Sequence, residues 1–366
     1  MRVGIDISNA VVSSPTGVAR YVRCLTSALQ QLPNAPELHF FCRYSRRRFG
    51  DPKQLFPGGK VRWFGDWWAP SKIDVFHATD LRIPRRLRVP IATTIHDLSA
   101  FHRSDHADAT FVAKKRRGYS EAAQRASQII THTEAVRREI IEHLGVSTDR
   151  VSAVHLADPI AGSLPPRPSP TPATQMATLN DASELLVVGG PSVRKGSHRI
   201  EPLLRSWAEE INWRPRVSWV GCAPAPQREE FHRSLAADVR DQIRFLGHVP
   251  DRELAQRYQS ASGLLMLSDT EGFGLPLLEA ARRHCAILAF ESPPLREVIG
   301  DGAFWVREPL ADSLPQLRSF ADPARRQTVT AHAARRGADF SWEATARQTL
   351  AAYELAIAAH SGASRA

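Results

Sequence analysis

The chain has 366 residues, 43% of them apolar and 23% charged, which suits two globular domains of ordinary size and excludes a disordered or fibrous protein. Its formal charge of +10 is uneven: residues 1–160 hold 24 Lys and Arg against 15 Asp and Glu, whereas residues 161–366 hold 24 against 23. No apolar run approaches the ~18 residues of a membrane span. Residues 1–7 read as a strand rather than a secretion signal, and the four scattered cysteines lack metal-ligand spacing, so reduced, mostly buried thiols and a cytoplasmic protein are expected.

Residues 2–7 predict a first strand, followed by a turn-rich loop at 13–18 and a helix over 19–32 whose apolar residues recur at the helical period. Strand, glycine loop and helix open a Rossmann-type unit. Gly17 would let backbone approach a diphosphate there, although the full G-x-G-x-x-G pattern of a dinucleotide enzyme is missing. Further strands are predicted at 38–42, 61–64, 73–77 and 90–97. In open α/β sheets ligands bind beyond the C-terminal ends of strands. His77 and His96 both stand at such ends, and His96, followed by Asp97, is the stronger candidate for a site. A basic helix over 111–126, a strand at 128–133, a helix over 134–144 with Gly145 as its C-cap and a strand at 150–156 complete the first half.

Residues 162–183 carry Pro165, Pro166, Pro168, Pro170 and Pro172 among Ser and Thr, which predicts an extended linker or exposed loop. The alternation then restarts. A strand at 184–190 leads into Arg194-Lys195, adjacent cations placed to hold a diphosphate, one as a planar fork and one as a point charge. A helix follows through Trp207, then a strand at 217–221, a helix over 231–239, a strand at 243–249 and a helix capped by Asp251 that runs to Ser260. The apolar run 264–267 predicts a buried strand, and 286–290 another; a long last helix covers 341–358.

Between those two strands lies Ser268-Asp269-Thr270-Glu271-Gly272-Phe273-Gly274-Leu275-Pro276-Leu277-Leu278-Glu279-Ala280. Pro276 suits the first helical position, so the layout is strand, tight glycine turn, helix N-terminus, with a carboxylate on either side of the turn. Free N–H groups at a helix start favour an anion. Carboxylates beside it are odd for phosphate alone and make sense if the ligand also carries hydroxyls to be accepted. A sugar nucleotide has both.

The ordered set of these segments resembles the retaining family-4 type glycosyltransferases of the GT-B fold, in their bacterial mannosyltransferase-like branch. The specific match is Glu271-Gly272-Phe273-Gly274-Leu275-Pro276 with Glu279 beyond it. Gly17-Val18-Ala19-Arg20-Tyr21, His77-Ala78-Thr79-Asp80, Thr94-Ile95-His96-Asp97-Leu98, Val188-Gly189-Gly190 with Arg194-Lys195-Gly196, Phe245-Leu246-Gly247-His248-Val249 and Phe340-Ser341-Trp342 extend it along nearly the whole chain. The resemblance implies two Rossmann-like doubly wound domains facing across a cleft, with the C-terminal helix crossing back to the first.

It divides the chain into an acceptor-binding domain at 1–162, a linker at 163–182, a nucleotide-sugar-binding domain at 183–340 and the returning helix at 341–366. It also implies roles. Glu271 would bind hydroxyls of the transferred sugar and Glu279 the ribose, while the N–H groups of Phe273, Gly274 and Leu275 would lie by the donor. Arg194 and Lys195 would neutralise the leaving diphosphate, work done by a metal in other transferases. Gly247, His248 and Val249 would read the base through backbone, Gly17 would form part of the donor loop, and His96 would face sugar and acceptor. The chain departs from the common pattern at Gly190, where many members place the phosphate-binding Arg, and at Arg296, where Pro is common.

The expected activity is retaining, metal-independent transfer of a hexose, mannose from GDP-mannose, to a surface-polysaccharide or lipid-linked saccharide. The alternative is a non-catalytic nucleotide-sugar-binding or scaffolding protein of the same fold. The clusters Arg43/Arg46/Arg47/Arg48, Arg82/Arg85/Arg86/Arg88 and Lys114/Lys115/Arg116/Arg117 would attract an anionic acceptor, or the inner face of the plasma membrane as a peripheral partner. Nucleic acid is not expected as a partner, because aromatic residues lie near only one of the clusters.

Overall fold

The computed structural model describes residues 1–56, 59–65, 72–102, 109–164, 179–180, 182–222 and 225–363. They form two compact units, one of residues 1–157 with 341–366, the other of residues 158–340. The proline-rich residues 165–178 lie outside the described residues, so the expected linker is not described.

In the first unit the strands are β1 (Arg2–Asp6), β2 (Glu37–Arg43), β3 (Lys60–Phe64), β4 (Val75–Ala78), β5 (Ile91–Thr94), β6 (Gln128–Thr131) and β7 (Val151–Ala153). All neighbours pair in parallel, in the order β3-β2-β1-β4-β5-β6-β7. The helices are α1 (Gly17–Gln31), α2 (Pro52–Leu55), α3 (Ser99–His102), α4 (Ala109–Arg125) and α5 (Glu134–Leu144). Thr16 caps α1 by accepting from the Ala19 N–H at 3.2 Å, and Thr133 caps α5 in the same way. Gly145 closes α5 in the left-handed region, as its position predicted. β4, β5 and β6 are buried throughout, as a parallel sheet covered on both faces requires. Phe41, Phe64, Phe76, Ile95, Tyr119 and Ile129 belong to the core beneath them.

The second unit holds β8 (Glu184–Val188), α6 (Ile200–Ile211), β9 (Arg216–Val220), α7 (Ala225–Ser234), α8 (Ala237–Arg240), β10 (Ile243–Gly247), α9 (Asp251–Ser260), β11 (Gly263–Met266), α10 (Leu275–Ala281), β12 (Ile287–Phe290), α11 (Pro293–Ile299), β13 (Phe304–Val306), α12 (Leu314–Ala321) and α13 (Pro323–Ala338). Its sheet is again parallel, in the order β10-β9-β8-β11-β12-β13. Trp207, Trp213, Trp219, Leu265 and Phe320 pack in its core. The unit starts at Asp158, whose carboxylate takes a hydrogen bond from buried Arg283 at 2.7 Å. The last helix, α14 (Trp342–Ala363), packs on α1, β4, β5 and β6 of the first unit. Its buried Tyr353 hydroxyl meets His77 Nδ1 at 2.8 Å.

Several local expectations are corrected. The helix expected over 231–239 is interrupted, with α7 ending at Ser234 and α8 starting at Ala237. Asp251 is the first residue of α9 rather than its cap, which is Pro250; its carboxylate still suits the first turn by charge. Pro276 is the second residue of α10, after the left-handed cap Gly274. Cys222 is exposed and Cys24 half-buried, so only Cys42 and Cys285 are buried thiols.

Candidate functional site

Both sheets reverse their strand order once, between β1 and β4 and between β8 and β11. At such a reversal the loops leaving the two central strands run to opposite sides and leave a crevice. In the second unit those loops are 189–196, after β8, and 267–274, after β11, the two segments singled out in the sequence. Ser192 organises the first by accepting from the Lys195 N–H at 3.3 Å, and Gly196 ends its turn at φ +72°. A β-carbon at Gly196 would stand 1.8 Å from the Leu267 carbonyl oxygen, so only glycine lets this turn lie against the end of β11.

That approach joins the two motifs. The Lys195 ammonium donates to Glu271 Oε1 at 2.5 Å. The Asp269 N–H donates to the Arg194 carbonyl at 3.0 Å, and Arg194 Nη1 donates to the Thr270 carbonyl at 3.1 Å. Burial pushes the Glu271 carboxyl up, but the charges of Lys195 and Arg194 and the hydrogen bonds from Lys195 and Ser268 outweigh it and hold the group below the usual carboxylate value. The arrangement is an anionic, hydroxyl-accepting group beside two cations, with the Arg194 side chain exposed.

Arg199 braces this pair of loops and was not singled out in the sequence. Its guanidinium is 2% exposed and donates to Asp269 at 2.5 Å, to the Leu267 carbonyl at 3.0 Å and to Glu308 at 2.7 Å, with the Phe290 ring 3.9 Å away. It ends a 3₁₀ turn just after the basic residues Arg194, Lys195 and His198, where nothing in local pattern separates a buried arginine from a solvated one. Trp219 adds a second brace by donating from its indole N–H to the Gly189 carbonyl at 2.6 Å.

The other predicted donor-side residues differ in access. Gly247 ends β10 at φ +67° with open space where a side chain would stand, and His248 is exposed. Val249 is buried. Phe273 is buried edge-on against Phe340, Gly274 is buried at φ +85°, and Leu275 is half-buried at the first position of α10. Glu279 is 1% exposed, and its Oε2 accepts from the Tyr258 hydroxyl at 2.8 Å.

In the first unit Gly17 is the exposed first residue of α1. His77 is fully buried, its Nδ1 against the Tyr353 hydroxyl and its Nε2 against the Thr94 hydroxyl, both at 2.8 Å. Burial pushes its pKa down to about 3, so it is a neutral core histidine. His96, just beyond β5, is partly exposed. Its Nε2 lies 3.0 Å from the Thr79 carbonyl and its Nδ1 lies 2.8 Å from His132 Nε2. Burial lowers its pKa, against the Thr79 carbonyl and the charges of Asp97 and Asp80. His132 follows the end of β6, so the strand-end rule that selects His96 would have found it too.

Two family descriptions match the chain: "Glycosyltransferase Family 4" over residues 15–157 and "Glycosyl transferases group 1" over residues 182–317. The chain is 26% identical to O-antigen chain mannosyltransferase B of Escherichia coli over 302 residues, which cover 77% of this chain and 74% of that one. It is 30% identical to a D-inositol 3-phosphate glycosyltransferase of Kineococcus radiotolerans over 304 residues, covering 74% of this chain and 67% of that one. The structure of HepE from Anabaena, solved in complex with UDP and glucose, superposes with a TM-score of 0.70 at 15% identity, covering 96% of this chain and 98% of that one. Two parallel-sheet Rossmann-like units, a family-4 domain in the first and a group-1 domain in the second place this chain among the GT-B glycosyltransferases, the family to which it belongs.

Proposed function

We propose that the chain is a retaining, metal-independent hexosyltransferase that moves mannose from GDP-mannose to a surface-polysaccharide or lipid-linked saccharide. The observation that carries this reading is the Lys195–Glu271 contact at the strand-order reversal of the second unit. The relative named for O-antigen mannosyl transfer supports mannose and a polysaccharide acceptor. In this reading the second unit binds the donor and the first binds the acceptor.

Arg194 and Lys195 neutralise the diphosphate as the bond from the anomeric carbon to its oxygen breaks. The acceptor oxygen bonds to that carbon from the same face, and its proton passes to the leaving phosphate oxygen. Glu271 accepts from sugar hydroxyls, and Glu279, by giving up part of its bond to Tyr258, accepts from the ribose. The backbone of Gly247, His248 and Val249 meets the base, and that of Phe273, Gly274 and Leu275 the donor. Gly17 serves the donor loop, and His96 contacts the sugar through its partly exposed ring, since both nitrogens are engaged within the unit.

A second reading concerns the acceptor alone. The Kineococcus relative is named for D-inositol 3-phosphate, and the basic first half suits a phosphorylated polyol as well as an anionic lipid surface at the inner membrane face. Exposed Phe111 on α4, with Lys114 and Arg117 also exposed there, is the surface proposed for peripheral contact.

The test is sugar transfer from a panel of GDP- and UDP-sugars to lipid-linked saccharide and to inositol phosphate. Glu271→Ala lowers transfer by about 10²-fold or more and leaves nucleoside-diphosphate affinity within a few-fold. Transfer near the wild-type rate in that variant would remove Glu271 from the sugar site. No transfer from any sugar nucleotide by the wild type would favour the scaffolding alternative.

A further inference from the structure

His96 and His132 sit in line between two backbone carbonyls, and the protons available do not match the contacts. His96 Nε2 lies 3.0 Å from the Thr79 carbonyl, which can only accept, so this nitrogen carries a proton. His132 Nδ1 lies 3.3 Å from the Val154 carbonyl, which also can only accept. The rings meet each other at 2.8 Å, His96 Nδ1 to His132 Nε2, a distance that needs one proton between them. Three contacts call for three ring protons, and two neutral imidazoles carry two. The line is complete only when the pair holds one proton in excess.

We propose that His132 is a positioning residue for His96: its Nε2–H donates to His96 Nδ1, holds in place the ring whose Nε2–H the Thr79 carbonyl fixes, and makes the two rings bind one proton as a single unit. In the neutral pair the longest contact, His132 Nδ1 to Val154, is the one without a proton. The excess proton enters there and leaves the tautomer of His96 unchanged. A second excess proton would put two charges on rings whose centroids are 5.0 Å apart.

The surroundings fix the sign. Asp97 and Asp80 favour the cation at His96, and Lys115 of α4 opposes it. Arg43 of β2 partly neutralises Asp80. His77 of β4 and His155, beyond β7, face His132 and oppose its charging. The Tyr21 ring of α1 stands edge-on to both rings, with its hydroxyl turned to Thr94. Burial disfavours either cation, so the unit is neutral near neutral pH and takes up its proton on the acid side. The catalytic consequence rests on the reading that His96 contacts the sugar.

The experiment is a pH titration of the full chain by imidazole ¹⁵N NMR, alongside pH profiles of transfer for wild type, His132→Phe and His132→Gln. In the wild type, His96 stays Nε2-protonated throughout, and the resonances of both rings move together through one step worth one proton. In His132→Phe, His96 keeps its Nε2–H against the Thr79 carbonyl but titrates as a single ring, its step shifted by about one pH unit. With it, kcat falls about tenfold with KM for the sugar nucleotide held within about twofold. Gln, which can donate at the same reach, restores the contact to His96 Nδ1 and most of kcat. Two independent one-proton steps in the wild type, a readout that requires no variant to fold, would overturn the proposal. So would an unchanged His96 titration in His132→Phe. A coupled titration with unchanged transfer in both variants would support the unit and refute the contact of His96 with sugar.

Discussion

His77 illustrates how one residue type divides by environment. His77 and His96 both stand at the ends of strands in the same sheet, yet His77 is sealed between Tyr353 and Thr94 while His96 is partly exposed. The sequence shows where a strand ends but not what packs over it, and α14, which covers His77, lies 276 residues away. A titration follows from the burial. The folded pKa of about 3 lies below the unfolded value of about 6.5, so the unfolded chain binds the proton first. The stability that His77 contributes is fully present above about pH 6.5 and is lost as pH falls toward 3. Buried Asp6 and Asp158 have raised pKa values and act in the opposite sense at the acid end, so the difference between wild type and His77→Phe isolates the histidine. Denaturant unfolding should show that difference changing by roughly 3 kcal/mol between pH 7 and pH 4. A difference independent of pH would mean that His77 is not held neutral in the fold.

At the scale of elements, the strands with continuous apolar runs were legible and their order was not. Strand–helix alternation predicts parallel sheets, but the reversal between β8 and β11 that sets the two loops side by side is a property of chain crossing. The Glu271 loop was legible because its glycines mark a tight turn and its carboxylates flank the start of α10. The elements within 291–340, α11, β13, α12 and α13, were not legible, because α11 and α12 are short and α13 buries Arg326, Thr330, Ala333 and Gly337 rather than large apolar residues. Arg199 belongs to this scale, since it ties the end of β11 to the segment after β13 through Leu267, Asp269 and Glu308. Arg199→Met would leave Asp269, 11% exposed, without this partner. The expected loss is about 3 kcal/mol of stability, read from the midpoint of denaturant unfolding. Adding Asp269→Leu should recover part of it, because the stranded charge is then gone. A loss below about 0.5 kcal/mol, the range of ordinary surface substitutions, would show that the brace contributes nothing.

For the molecule as a whole, charge is divided along the chain: the first half is basic and the second balanced. The two units follow the same plan, each with one strand-order reversal; among the described residues the second has Arg194 and Lys195 beside Glu271 there, whereas the first has Arg43 between Asp6 and Asp80. That difference supports the proposal that the donor binds in the second unit. The most direct test is calorimetric titration of a nucleoside diphosphate into wild type and Lys195→Ala. Lys195→Ala should raise Kd by about tenfold or more, the equivalent of one charge-assisted bond worth at least ~1.4 kcal/mol, with the fold intact by circular dichroism. An unchanged Kd would contradict the assignment of the Lys195–Glu271 loops as the diphosphate-sugar site.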